Sequence, residues 1–441
     1  MSPEALGIAM LALMVVAILI GFPTAFTLMS LGVTFGFLGI GWVVFDLVVQ
    51  RTFFVMQNDV LVAIPLFLFM GYLVERAGIV DKLFLSVQLL MGGLPGALAL
   101  ATLFTGALFA TATGIVGASV TLLGLLALPA MIRRGYDVSF GSGVIVAAGT
   151  LGILIPPSVL LILYGFIAGV SVPRLYAAAF IPGFILVALY LVYIVFRAAR
   201  NPSIAPAMPI EERTIPLGQI IQMLVTGLLP ILSLILFVLG AIFFGFATPS
   251  EAAALGSLGG LLLAAMHRRL SFSMLKESIF LTVRASAMVG WLLVGSSIFA
   301  AVFARLGGAA VVGEFLDGLG LDPVQFVILV QIVIFLLGWP LEWTEITIIF
   351  LPLFLPLLRA YEIDLVWFGV LASLNMQTAF LSPPVAMSAY YLMNVAPKGV
   401  LLTQIFRGMY PYIGLQVISM VLLYLFPQLA TWLPTLIYGK Q

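Results

Sequence analysis

Long apolar runs, interrupted by glycine, proline and short charged clusters, dominate the chain. About twenty consecutive apolar residues suffice for a helix to cross a bilayer. In residues 1–200 such runs predict crossings near 5–22, 24–42, 61–77, 140–169 and 174–197. In residues 215–430 they predict crossings near 217–244, 249–266, 284–304, 365–395 and 401–427. A further apolar stretch lies between the third and fourth crossings of each set, at 96–131 and 324–357. The first is broken by Gly106, Gly114 and Gly117 into arms of about fifteen residues, short for a full crossing, which predicts a re-entrant hairpin. The second reads likewise. Outer-membrane barrels alternate polar and apolar residues, and runs such as Leu6–Gly21 do not. That first run follows Glu4 rather than a basic segment and continues past Gly21-Phe22-Pro23, so it reads as a membrane helix rather than a cleaved signal peptide.

Landmarks recur at a nearly constant offset. Pro23 in GFPTAF and Pro249 in ATPSEA lie 226 residues apart. Pro129 and Pro356, Asp137 and Asp364, Tyr164 and Tyr391, and the pairs Pro156-Pro157 and Pro383-Pro384 lie 227 apart. One matched proline among 25 carries little weight, but two Pro-Pro pairs sharing an offset with an aspartate carry much more. The chain therefore divides into a first repeat (1–200), a linker (201–214, with Glu211, Glu212 and Arg213) and a second repeat (215–430). Five crossings per repeat is odd, so the second repeat enters the membrane from the opposite face. Inverted repeats of this kind are a signature of secondary transporters. Charge agrees with the odd count. On this topology Arg76, Lys82, Arg133, Arg134, Arg197, Arg200, Arg213, Arg268, Arg269, Lys276, Arg284, Lys398 and Arg407 share one side. Arg51, Arg174, Arg305, Arg359 and Lys440 share the other. The richer side is cytoplasmic, so both termini are expected outside, the first hairpin opens from the cytoplasm and the second from the outside.

Composition sharpens the class. The chain is 63% hydrophobic and 8% charged, with mean hydropathy +1.27, against about 25% charged residues in soluble domains. A net charge of +1 gives no basic face for nucleic acid. The absence of cysteine excludes disulfides and thiol chemistry, and a single His267 excludes a His-rich metal site. The fold class is an all-α polytopic membrane protein of two inverted repeats, each of five crossings plus a re-entrant hairpin. An intramembrane enzyme would need a nucleophile with a base, or a metal cluster, and only carboxylates are present for either.

The candidate chemistry lies where helices break. Gly149-Thr150-Leu151-Gly152 leads into Pro156-Pro157, and Asn375-Met376-Gln377-Thr378 leads into Ser382-Pro383-Pro384. Proline brings no N–H and disfavours helix in the residue before it, so paired prolines free carbonyls upstream. At membrane depth such carbonyls need protein, water or an ion. Gly149, Thr150, Gly152, Ser119, Asn375, Gln377, Thr378 and Ser382 are the candidate Na⁺ ligands; Thr150, Asn375, Thr378 and Ser382 also have the alternative of bonding back to their own helix. The hairpin tips supply the candidate substrate contacts: Thr113, Gly114, Gly117, Ser119 and Thr121 in the first, Thr344, Glu345 and Thr347 in the second. Small residues there also suit helix packing. Glu345 has three candidate roles, ligating Na⁺, carrying a proton or pairing with an arginine; Glu342 is a weaker candidate. Thr248-Pro249-Ser250-Glu251 reads as a capping box rather than an ion site. His267-Arg268-Arg269 reads as an orienting cluster at a cytoplasmic helix end.

The stretches VGASVTLLGLLALPAMIRRGYD, AAGTLGILIPPSVLLILYG, ATPSEAAA and LNMQTAFLSPPV resemble the large membrane (DctM-type) subunit of the tripartite ATP-independent periplasmic (TRAP) transporters. The resemblance covers essentially the whole chain. It implies elevator-type scaffold and transport domains, Na⁺-driven import of an organic acid, and a bacterial inner (cytoplasmic) membrane location. It also implies two partners, a small four-helix membrane subunit and a periplasmic substrate-binding protein. The serine-rich hairpin tip of many members is replaced here by Thr113-Gly114-Ile115-Val116, with Gly117-Ala118-Ser119 following. Trp343-x-Glu345 and LNMQTAFLSPP look closer to the branch linked to C4-dicarboxylates, 2-oxo acids and similar carboxylates than to the sialic-acid branch. A stand-alone carboxylate/Na⁺ symporter of related architecture is the alternative.

Overall fold

A computed structural model of the chain describes residues 2–209 and 215–439. Glu211, Glu212 and Arg213 of the expected linker, and Lys440, lie outside the described residues. Among the described residues every regular element is helical, as a backbone deprived of water demands. Among the described residues eight helices are long and apolar enough to cross a membrane, or nine if one bent pair counts as a span. Phe237, Phe272 and Phe280 are among many large apolar side chains exposed on the helices. A bilayer, not water, suits that surface.

The predicted crossings coincide with helices, with instructive differences. The segment read as 61–77 is one limb of a bent pair: helix Val43–Met56 and the run Asp59–Arg76 meet at 56°. Asn58 turns the chain there, its side chain accepting the Val60 N–H at 3.0 Å. The segment read from 284 is a 34-residue helix that begins at Phe272, capped by Ser271. Short helices Val80–Leu90, Gly308–Gly318 and Gln428–Tyr438 went unread because none approaches the length of a crossing. Thr248 and Glu251 form the expected capping box.

The first hairpin pairs Ala97–Thr113 with Val116–Arg133; its arms, 17 and 18 residues, exceed the expected fifteen or so. Gly114 makes the turn in a left-handed conformation (φ +63°). The stretch expected as the second hairpin holds Pro323–Leu337, begun by an Asp322–Gln325 capping box and packed on Leu365–Leu381, followed by a helical run from Trp343 to Ala360. That run carries a π-helical turn at Ile346–Phe350. The second arms start at Val116 and Trp343, and the next helices at Val138 and Leu365, 227 residues apart in both cases.

Contacts between the two halves are reciprocal. Helix Ala63–Arg76 packs along Pro249–Met266, while Thr24–Ile40 packs along Phe272–Arg305. Gly256 and Gly260 admit the close approach of Met70 and Leu73, and Ser257 donates to the Leu66 carbonyl at 2.8 Å. Deeper in, Val138–Thr150 packs on Leu402–Leu425, and Leu365–Leu381 packs on Val172–Arg200.

Candidate functional site

Both double-proline segments interrupt their helices. Asp137 starts the first by accepting the Phe140 N–H at 2.7 Å. Helix Val138–Thr150 tightens into a 3₁₀ turn at Leu151–Ile153, passes the cis Pro156-Pro157 bond, and resumes at Val159 behind the Ser158 cap. Asp364 starts the second by accepting from Val366 and Trp367 at 2.7 and 3.1 Å. Helix Leu365–Leu381 stops before the cis Pro383-Pro384 bond, and Met387–Val395 follows. At each break one freed carbonyl is taken by a serine: Ser158 donates to Ile153, and Ser388 donates to Phe380. The two carbonyls are 227 positions apart in the chain.

The candidate Na⁺ ligands do not form one cluster: Gln377 reaches Thr150, while Asn375, with Thr378 bonded back to it, faces Gln331, and all four are essentially inaccessible. Gln377 donates its amide to the Thr150 carbonyl at 3.2 Å and accepts from Gln416 at 3.4 Å. Asn375 donates to both the backbone and the side-chain oxygen of Gln331, at 2.6 and 2.9 Å. The Thr150 and Thr378 hydroxyls bond back to the carbonyls of Ala147 and Asn375, at 2.8 and 2.6 Å. That bond uses the hydroxyl proton and leaves oxygen lone pairs for a cation. Ser382 keeps a buried hydroxyl with no partner. Ser119 sits in the first hairpin, its hydroxyl 3.2 Å from that of Thr113.

Gly149 and Gly152 contribute shape. A Cβ on Gly152 would lie 2.1 Å from the Ala110 carbonyl oxygen, and one on Gly149 would lie 2.4 Å from a Val120 methyl. Both arms of the first hairpin therefore press against the first break. Thr347 ties the second hairpin to the second broken helix, donating to the Trp343 carbonyl at 2.7 Å with Met376 sulfur 3.2 Å away. Glu345 caps its own helix by accepting the Glu342 N–H at 3.1 Å, and its other oxygen accepts from Thr24 of the outer helix Thr24–Ile40. Among the described residues Glu345 forms no ion pair.

A cavity of about 440 Å³ separates the two hairpin tips from the outer helices. Gly114, Gly117 and Thr121 line it from the first hairpin, and Glu342, Trp343 and Thr344 from the second. Tyr391, from the helix after the second break, packs its ring 3.2 Å from where a Gly117 Cβ would stand. Tyr72 and Glu75 face the cavity from the outer helix Ala63–Arg76. Thr344 is 3% exposed, with its hydroxyl beside the Glu342 carboxyl group. Sequence reasoning missed Thr24, Tyr72, Glu75, Gln331 and Gln416. Isolated polar residues inside apolar runs were the available signal for the last four.

The sequence model of the family described as "Tripartite ATP-independent periplasmic transporter, DctM component" matches residues 11–429. The chain is 28% identical over 381 residues to the C4-dicarboxylate TRAP transporter large permease protein DctM of Pseudomonas aeruginosa, covering 86% of this chain and 87% of that one. It is 28% identical over 352 residues to the isethionate TRAP transporter permease protein DctMQ of Oleidesulfovibrio alaskensis, covering 80% of this chain and 54% of that longer protein. Among solved structures, the Alcanivorax borkumensis YdaH transporter aligns with 98% of this chain and 100% of its own, at TM-score 0.59 and 16% identity. At that identity the likeness is one of fold alone.

Proposed function

The chain belongs to the DctM component family of tripartite ATP-independent periplasmic transporters, as a large permease subunit, and on that premise we propose that it imports an organic acid together with Na⁺. The observations that carry this reading are the meeting of two interrupted helices at Gln377 and Thr150 and a cavity walled by both hairpin tips. Interrupted helices offer backbone and amide oxygen to a cation at membrane depth. Na⁺ is a cosubstrate here, held among Thr150, Asn375, Thr378 and Ser382, with the first-hairpin residues pressed against Gly149 and Gly152. The cargo occupies the cavity at Gly114, Gly117, Thr121 and Thr344. Relatives named for C4-dicarboxylate and isethionate support a small organic acid as that cargo.

In this reading the two halves are inverted repeats, and the hairpins with the broken helices slide as one block against the outer helices. Each Na⁺ entering across 100 mV contributes about 2.3 kcal/mol. Two ions then contribute more than about 4 kcal/mol, enough to offset roughly a thousandfold uphill gradient. The protein sits in the bacterial inner membrane with both termini outside. A small membrane subunit completes it, and a periplasmic binding protein delivers the cargo. The test is uptake into proteoliposomes holding the chain, the small subunit and the binding protein. Uptake is expected to collapse when the Na⁺ gradient is dissipated and when the binding protein is omitted. Uptake indifferent to the Na⁺ gradient would overturn the coupling, and uptake by the chain alone would make it a stand-alone symporter.

A further inference from the structure

We propose that Arg51 anchors the carboxylate of the cargo on the outer side of the transport path, in a second cavity of about 280 Å³ separate from the one at the hairpin tips. This rests on the transport reading above and adds a site to it. Arg51 belongs to helix Val43–Met56, the first limb of the bent apolar pair, and lines the cavity together with Phe54, one turn further along the same face. Ser296 and Ser297 line it from helix Phe272–Arg305. The remaining wall belongs to the block that slides in this reading: Phe166 of helix Val159–Ala168, after the first break, and Ile348 of the π-helical turn. The Phe54 and Phe166 rings stand 6.0 Å apart.

Among the described residues Arg51 makes neither a hydrogen bond nor an ion pair. No Asp or Glu is among the described lining residues of its cavity. A guanidinium stays charged and offers five N–H donors. Held among aromatic and aliphatic groups in an apolar span without a partner, it is costly, and such residues mark ligand pathways. A carboxylate is the matching ligand, because its two oxygens accept two parallel N–H bonds from one guanidinium. Ser297 adds a hydroxyl donor from the facing helix. The place along the path supports the same role. Helix Phe272–Arg305 turns one continuous stripe to both cavities: Leu281, Ala285 and Val289 at the hairpin tips, then Leu293, Ser297 and Ala301 beside Arg51. From Ala285 to Ser297 is about 18 Å of helix. On the orientation expected from charge, the Arg51 end is the outer one. No Lys, Arg or His is among the described lining residues of the hairpin cavity. The path thus grips an anion at its outer end and releases it at its inner end.

The experiment titrates acetate, pyruvate and succinate against the chain and its small subunit in phosphatidylcholine nanodiscs, with Na⁺ present, and reads binding by thermal unfolding. At least one probe is expected to raise the wild-type midpoint, and Arg51→Gln should need at least tenfold more of it for the same rise. The chain has no native cysteine, so Arg51→Cys gives a charge test within one folded variant. Aminoethyl methanethiosulfonate, which restores a positive charge, should recover binding, and the sulfonatoethyl reagent should not. In proteoliposomes Arg51→Gln should raise the half-saturating concentration for uptake from outside about tenfold, and that for counterflow from the inner face less than twofold. A general folding defect would move both. Equal effects of the two reagents, equal shifts at the two faces, or no response of the wild type to any probe overturns the proposal. So does loss of bound phospholipid from Arg51→Gln, read by native mass spectrometry, with carboxylate binding intact, because Arg51 then holds a lipid phosphate. If any of these occurs while Na⁺-driven uptake by the wild type persists, the Arg51 assignment fails and the transport reading stands. Wild-type uptake that ignores the Na⁺ gradient would instead count against that reading.

Discussion

Gln377 donates its side-chain amide to the backbone carbonyl of Thr150 at 3.2 Å, and the two residues lie 227 positions apart, the offset that also separates the two Pro-Pro pairs. The bond joins the ends of the two helices whose continuation the double prolines interrupt. It therefore satisfies, from the opposite half of the chain, a carbonyl at the last residue of helix Val138–Thr150.

Gln377→Leu removes that donor and also leaves the Gln416 amide without its acceptor. Unpaired buried polar groups cost about 1–3 kcal/mol each. The variant is expected to unfold several degrees below the wild type in detergent, with a weaker rise in melting temperature on adding Na⁺. A variant as stable and as Na⁺-responsive as the wild type would show the bond to be incidental.

Asn375→Ala should separate ion binding from folding. Asn375 holds Gln331 through its amide nitrogen, and its side-chain oxygen lies 3.4 Å from the Thr378 hydroxyl. On the Na⁺ reading its loss raises the Na⁺ concentration for half-maximal uptake by about tenfold, the equivalent of one ligand worth about 1.4 kcal/mol. Unchanged Na⁺ dependence of initial rates would remove Asn375 from the ion site.

Gly152→Ala is expected to be severe. Its methyl group would meet the Ala110 carbonyl oxygen at 2.1 Å, and neither backbone has a free end to retreat. Overpacking of this kind costs about 1–3 kcal/mol or more. Gly218→Ala is the matched control, because nothing lies within 4 Å of a Cβ there. Melting curves and membrane yield of the two variants should diverge, the first falling and the second holding or rising slightly.

The contact between Thr24 and Glu345 joins an outer helix to the tip of the second hairpin. If the hairpin slides against that helix during transport, the contact must break in every cycle. The chain holds no native cysteine, so Thr24→Cys with Glu345→Cys gives a clean pair for a short bis-thiosulfonate. Cross-linking is expected to stop uptake, and reductant to restore it. Full uptake by cross-linked protein would mean that these two elements move together.

Much of this arrangement is legible in the residues, and what is not has a physical reason. Two Pro-Pro pairs announce two broken helices, because proline lacks the N–H and the space that a helix requires. Gly114 between apolar arms announces a hairpin, since the turn needs a left-handed residue. Thr248 and Glu251 announce a helix start. The bend at Asn58 was hidden because hydropathy averages over a window and ignores one side chain that caps its own backbone. Thr24 gave no sign of being the partner of Glu345, 321 residues away, because only packing of the outer helix brings it there. Tyr72 and Glu75 lie near the end of an apolar run, and only the cavity shows what they face.

The crosswise pairing of helices also sets an order of events at the ribosome. Ala63–Arg76 finds its companion in Pro249–Met266, and the Leu66 carbonyl waits for Ser257. A nascent first half must therefore dwell in the lipid with its best packing faces uncovered until nearly two hundred further residues have been inserted. Neither half, made alone, carries the surfaces that would bury those faces, so separately expressed halves should accumulate only when both are made in the same cell.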